Sequence, residues 1–163
     1  MSQAFSFSDK QTDATRQLAT YASGLSYDAI SEKAQVVGKH ALLDWIGVAL
    51  AGSQESLVTI LQDEAAAEGL GDQATLLGIG VRGSVSQAAL INGAAGHALD
   101  YDDVHPSVGG HPSVPVAPVA LALAERDGKS GFDLLTGLVA GIETEARIGS
   151  LIGDARDHGW HQT

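Results

Sequence analysis

Between Ser84 and Leu99 the chain carries almost no side chains. Ala88, Ala89, Gly93, Ala94, Ala95, Gly96 and Ala98 all fall in this stretch. Ser84 with Gln87 makes a capping-box pattern ahead of it, so the spacing predicts a helix over 84–99. Glycine inside a helix costs about 1 kcal/mol relative to alanine. A sequence that accepts this cost repeatedly must recover it from close approach of neighbouring backbones. The segment is therefore expected at the centre of a helical packing, with Gly93 at the closest contact, where a branched side chain would unfold or dissociate the protein.

The rest of the chain supplies helices to surround it. Ser8 and Gln11 predict a first helix from Asp9 to Ser23, stopped at Gly24. A long second helix is expected from Asp28 or Ser31 to Gly52, with Ala34, Val37, Ala41, Trp45, Val48 and Ala49 on its buried stripe. Leu57, Ile60, Leu61 and Ala65 predict a third, ending at Gly69-Leu70-Gly71. Ala74 to Val81 reads as the only strand. Beyond a loop from Asp100 to Pro112, Ser113 is placed to cap a helix with Pro115 in its first turn and Val116, Val119, Ala120 and Leu123 inside. Ser130 and Asp133 open the last, whose apolar face is Leu134, Leu135, Leu138, Val139, Ile142 and Ala146, running to Gly149 or Gly153. Asp154 to Thr163 reads as loop, and its close on Gly159-Trp-His-Gln-Thr163 reads as a chain cut mid-fold. There is no internal repeat or linker, and 163 residues, 44% apolar, fit one domain over 1–163.

Polar chemistry is gathered just past the bare helix. From His97 to His111 lie three of the six histidines and three carboxylates, Asp100, Asp102 and Asp103. Burial raises carboxylate pKa values and lowers those of histidine, while close opposite charges do the reverse, so such a cluster is a candidate acid/base site. Asp100 and His111 look placed to serve that chemistry, directed into a dry hollow between helices. Asp102 and Asp103 read as solvated or helix-capping. Free N–H groups near Ser113 and Val114 would offer a site for a carboxylate. His97 with Asp100 three residues on, His105 and His111 also suit a metal, but without a known ligand spacing no metal is expected. A hydrogen-bonded core histidine explains His97 as economically.

Charge and composition narrow the partners. Twenty acidic against nine basic residues give a net charge of −11, which repels nucleic acid and anionic membranes, and an anionic substrate then needs local positive groups. Arg82, Lys129, Arg147 and Arg156 are the few candidates, each as well explained as solvated helix faces. No apolar run is long enough to span a bilayer. The absence of cysteine excludes disulfide and thiolate chemistry, and with no signal-like N-terminus a cytoplasmic setting is expected. Gly78-Ile-Gly-Val-Arg-Gly83 matches a dinucleotide fingerprint, with Asp103 twenty residues beyond. No second strand precedes that acid, so a glycine-permitted turn into the helix is the preferred reading.

Four runs together carry a family resemblance: Asn92-Gly-Ala-Ala-Gly-His-Ala-Leu-Asp-Tyr-Asp-Asp103, His111-Pro-Ser-Val-Pro-Val116, Gly159-Trp-His161 and Leu42-Leu-Asp-Trp-Ile-Gly-Val-Ala-Leu-Ala-Gly52. In these the sequence resembles the MmgE/PrpD family, which includes 2-methylcitrate dehydratase, cis-aconitate decarboxylase and iminodisuccinate epimerase. The resemblance implies an all-α, multi-helix domain with at most one short strand near residues 74–80. It also implies a lyase or isomerase of small di- or tricarboxylates that needs no metal or cofactor and is usually a homodimer. It places catalytic positions at Asp100, His111 and His161, with His97, Asp103 and Ser113 toward substrate. Val104 stands where many relatives have threonine, and the loop to His111 is one residue longer than in decarboxylase-like members, so substrate choice does not transfer. The family's lysine and its α+β lid domain would lie beyond Thr163. The chain is accordingly expected to be the N-terminal part of a longer enzyme, one half of a split enzyme whose lid comes from a separate chain, or a non-catalytic helical dimerisation module.

Overall fold

Serine side chains cap the starts of several helices. Ser31 Oγ accepts from the Ala34 N–H at 3.3 Å, and Ser84 Oγ accepts from Gln87 N–H while Gln87 Oε1 accepts from Ser84 N–H, the full reciprocal box. In this computed structural model, which describes the backbone of residues 9–152 and the side chains of 13–151, the helices are α1 (Asp9–Gly24), α2 (Glu32–Gly52), α3 (Ser56–Glu68), α4 (Val85–His97), α5 (Ser113–Arg126) and α6 (Gly131–Ile152). Two-residue strands β1 (Ala74–Thr75) and β2 (Arg82–Gly83) pair antiparallel, Ala74 with Gly83 and Thr75 with Arg82. The fold class is all-α, as expected. The expected loop 154–163, with Arg156, lies outside the described residues.

The single strand expected over 74–81 is instead a hairpin. Gly78 and Gly80 take φ of 74° and 78°, a left-handed conformation open to glycine at no steric cost, and the chain doubles back there. Antiparallel pairing also removes the dinucleotide-binding reading, which requires a parallel unit.

Helix α4 packs against α2, α3, α5 and the hairpin. Its buried residues are Ala88, Ile91, Asn92, Ala95 and Gly96. The closest approaches differ from expectation. A Cβ on Gly93 would meet only ordinary contacts, 3.6 Å from Pro118 Cγ and 3.7 Å from the Val114 carbonyl. The tight points are with α2: a Cβ on Gly52 would overlap the Ala95 carbonyl oxygen, and one on Gly96 would lie 2.6 Å from Trp45 Nε1. The large indole of Trp45, fully buried, fills the space that glycine leaves.

Apart from Trp45, the buried residues of the helices around α4 are few and mostly small. Helix α2 buries Gly38, Trp45, Val48, Ala49 and Gly52, α3 buries Val58 and Ala65, and α5 buries Val114, Ala117, Pro118 and Ala122. Several residues expected inside therefore lie out. Val37, Leu57, Ile60, Val119 and Leu123 are exposed. In α6, Leu135 and Leu138 are buried as expected. No helix among the described residues is long and apolar enough to cross a membrane.

Candidate functional site

The last turn of α4 sets the site. Asp100 takes φ of 53°, a left-handed position that aspartate tolerates better than most residues, and its N–H closes the helix end on the His97 carbonyl at 3.0 Å. The chain then turns back beneath His97, which brings Asp102 under the ring. His97 Nδ1 lies 3.1 Å from Asp102 Oδ1. From the start of α5, His111 approaches the same residue: its Nδ1 is 3.3 Å from the Asp102 carbonyl oxygen and 3.2 Å from Oδ2. The imidazoles are 4.8 Å apart at 60°. Asp102, expected to be solvated or capping, is instead buried, its side chain 1% exposed between two histidines. The five-residue step from His97 to Asp102 matches no regular element, which is why spacing did not reveal it.

On the outer side, His111 Nε2 faces Asp100 Oδ1 at 3.6 Å. Structure thus brings together three of the residues expected at the site, His97, Asp100 and His111, around the one that sequence reading discounted. The hollow is not dry, since the Asp100 side chain is 78% exposed. The ligand atoms of His97, Asp100, Asp102 and His111 all lie within 4.8 Å of one another, a group that can gather a divalent cation. His105 is not part of it; its Nδ1 accepts from the Ser107 N–H at 3.2 Å.

Asp103 and Ser113 meet each other. Ser113 was expected to cap α5, but the cap position is Pro112, which has no side-chain hydrogen bond to give. Asp103, ten residues upstream, does the capping: its carboxylate accepts from the Ser113 N–H at 3.1 Å and from the Ser113 hydroxyl at 2.6 Å. The helix N-terminus expected to hold a substrate carboxylate therefore already holds one of the protein's own. His161 lies outside the described residues.

Two further features adjoin the loop. Glu145 on α6 has a buried Oε2 without a hydrogen-bond partner among the described residues. Burial, and then the negative charge of Asp103, push its carboxyl up to about 7. It sits three residues beyond Ile142 and seven beyond Leu138, so an acid on the apolar stripe of α6 was the available signal. A cleft of ≈ 710 Å³ between α2 and α6 is lined by His40, Asp44, Asp103, Val104, His105 and Glu143 among others. Of the cations named from sequence, Arg82 is engaged with Asp72 and Glu125, and Arg147 with Glu143 and over the Tyr21 ring.

With this geometry in hand, comparison with known proteins is specific. The model of the MmgE/PrpD N-terminal domain matches residues 16–163. A cis-aconitate decarboxylase-like protein, oryM, of Aspergillus oryzae is 30% identical, the match covering 94% of this chain and 34% of that protein. The cis-aconitate decarboxylase of Homo sapiens is 32% identical over 88% of this chain and 31% of its own length. That of Aspergillus terreus is 26% identical over 94% and 33%. The chain spans about a third of the length of these curated relatives.

Proposed function

The chain belongs to the MmgE/PrpD family, and on that premise we propose that it is the N-terminal helical part of a lyase or isomerase that moves protons beside a carboxylate of a small di- or tricarboxylic acid. The observation that carries this reading is the grouping of two imidazoles and two carboxylates at the end of α4, one carboxylate buried and the other open to solvent. Acid/base catalysis needs a group that takes a proton and another that returns it, both within reach of the same substrate atom. His111 Nε2, facing outward past Asp100, takes the first role. Asp100, and His161 from beyond the described residues, provide the second.

Three relatives are named for cis-aconitate decarboxylase or likened to it, which makes cis-aconitate the first substrate to test. In that reaction the bond to one carboxylate breaks, its electrons pass to the carbon skeleton as CO₂ leaves, and a histidine delivers a proton to the resulting carbanion. Dehydration of 2-methylcitrate and epimerisation of iminodisuccinate use the same proton-moving groups. Val104 leaves the site without a hydroxyl at its position, so the natural substrate is one that does not depend on that contact.

An acidic chain of net charge −11 needs help to hold a polyanion. The reading therefore assigns the lysine and lid to sequence beyond residue 163 or to a separate chain, with a homodimer in the cytoplasm as the working assembly. Asp103 and Ser113 join substrate binding by exchanging their mutual hydrogen bonds for substrate.

The test is to express the protein from its complete coding sequence, determine its mass and oligomeric state, and assay CO₂ release from cis-aconitate, water loss from 2-methylcitrate and turnover of iminodisuccinate. Turnover of one of them supports the enzyme reading. A folded protein inert towards all three leaves the chain as a helical assembly module.

A further inference from the structure

We propose that His97, Asp102 and His111 form a binding site for a divalent transition-metal ion such as zinc, held through the Nδ1 atom of each imidazole and the buried Asp102 carboxylate. This goes beyond the proton-transfer reading and does not depend on it.

Two observations meet on Asp102. Its side chain is 1% exposed, and burying a carboxylate is costly unless the charge is paired or bound to a metal. Its Oδ1 is hydrogen-bonded to His97 Nδ1 at 3.1 Å, but its Oδ2 is buried without a hydrogen-bond partner among the described residues. That atom lies 3.2 Å from His111 Nδ1, which is hydrogen-bonded to the Asp102 carbonyl oxygen at 3.3 Å. A buried acceptor left over in this way is a place for an ion. The second observation is the company it keeps. One ligand atom from each of His97, Asp100, Asp102 and His111 lies within 4.8 Å of the others. Atoms held about 2.1 Å from one ion in a tetrahedron are about 3.4 Å apart. The two Nδ1-to-carboxylate distances, 3.1 and 3.2 Å, are close to that.

The donor set selects the ion. Two imidazole nitrogens with a carboxylate suit zinc and its neighbours, whereas calcium and magnesium take oxygen ligands. Binding through Nδ1 puts the ring proton on Nε2, and metal-bound imidazoles give that N–H to a second group. For His111 the Asp100 carboxylate faces Nε2 at 3.6 Å, so Asp100 supplies outer negative charge. Two carboxylates then balance the two charges of the ion. An imidazole held this way cannot take up a proton, and zinc therefore inhibits the proposed reaction.

The test is calorimetric titration of Zn²⁺ into the full-length protein, stripped with a chelator, with Mg²⁺ as the control. One Zn²⁺ per chain should bind, Mg²⁺ should not compete, and affinity should fall as pH is lowered because protons compete for the ring nitrogens. Asp102→Asn, which keeps the shape and removes the charge, and His97→Gln should each weaken binding by about 10²-fold or more, and Asp100→Asn by about tenfold. Circular dichroism checks that each variant folds. Where one does not, ¹⁵N NMR of wild type decides: Zn²⁺ should shift the Nδ1 signals of His97 and His111 and keep their protons on Nε2. No saturable binding at millimolar Zn²⁺, equal affinity in the folded Asp102 and His97 variants, or zinc on either Nε2 overturns the inference. The titration needs no turnover, so the two readings part cleanly. A protein that binds Zn²⁺ here and is inert towards the three acids keeps the site and loses the reaction. An active protein that binds none, or whose turnover continues undiminished with Zn²⁺ saturating, keeps the reaction and loses the site.

Discussion

Two buried polar clusters hang on helix α4, and they differ in what they leave free. On the side facing the hairpin, Asn92 in the middle of α4 accepts from the Leu77 N–H and donates to the Thr75 carbonyl, both at 2.8 Å. Gln87 ties the Gly69 carbonyl, the Gly71 N–H and the Ser84 N–H. These are neutral amides spent on backbone, and they pin the hairpin and the entry of α4. At the C-terminal end, His97, Asp102 and His111 hold one another through groups that change charge, beside an exposed Asp100. The contrast separates a cluster that fixes structure from one equipped to exchange protons.

The largest expected effect falls on the contact that supports both. Gly52→Val would drive a branched side chain into the Ala95 carbonyl, and urea unfolding should show a loss upwards of about 3 kcal/mol. Gly93→Ala, with 3.6 Å of room to its nearest neighbour, should stay within about 1 kcal/mol of wild type. Equal losses in the two variants would refute the packing described for α4.

Next comes the amide cluster. Asn92→Ala strands a buried N–H and a buried carbonyl, each costing on the order of 1–3 kcal/mol, so a total near 3 kcal/mol is expected with turnover per folded molecule unchanged. His111→Ala should do the opposite, lowering kcat by about 10² or more while the melting temperature moves by roughly 4 °C or less. If the Asn92 variant loses activity while folded, or the His111 variant loses only stability, the division between the two ends of α4 fails.

The smallest effect sharpens the electrostatic side. Glu145 has its carboxyl raised from 4.5 to about 7 in the folded protein, so folding favours its protonated form. Its contribution is complete below about pH 4.5 and is lost as pH rises through about 7. Glu145→Gln should leave the melting temperature nearly unchanged near pH 4.5 and raise it above that of wild type at pH 8. A variant parallel to wild type across that range would show that burial does not penalise the Glu145 charge.

Legibility in the sequence followed the range of the forces involved. The serine cap at Ser84 and the Ser130–Asp133 pair that opens α6 act within three residues, so their patterns were readable directly, while the start of α2 was left between Asp28 and Ser31. The hairpin was misread as one strand because apolar content outweighed two glycines whose turn depends on backbone sign. Burial of α3 and α5 was misjudged for a related reason: hydrophobicity marks which residues can be inside, whereas the width of the neighbour decides how many are. Val58, Ala117 and Ala122 face the core, while Leu57, Val119 and Leu123 lie outside it.

What the sequence by itself determined is the class: capped helices around a bare central one, no cysteine chemistry, an excess of acidic residues, and a polar stretch from His97 to His111 just past the bare helix. Only the tertiary structure decided that Asp103 rather than Ser113 caps α5, that the tightest glycines are Gly52 and Gly96, and that Asp102 lies buried between two histidines. The cap and the buried aspartate depend on residues far from regular spacing, brought together by a left-handed turn at Asp100 and the packing of α5 on α4, and the tight glycines depend on the packing of α2 on α4. Such pairings are set by where two elements meet in space, which a local pattern of residues does not encode.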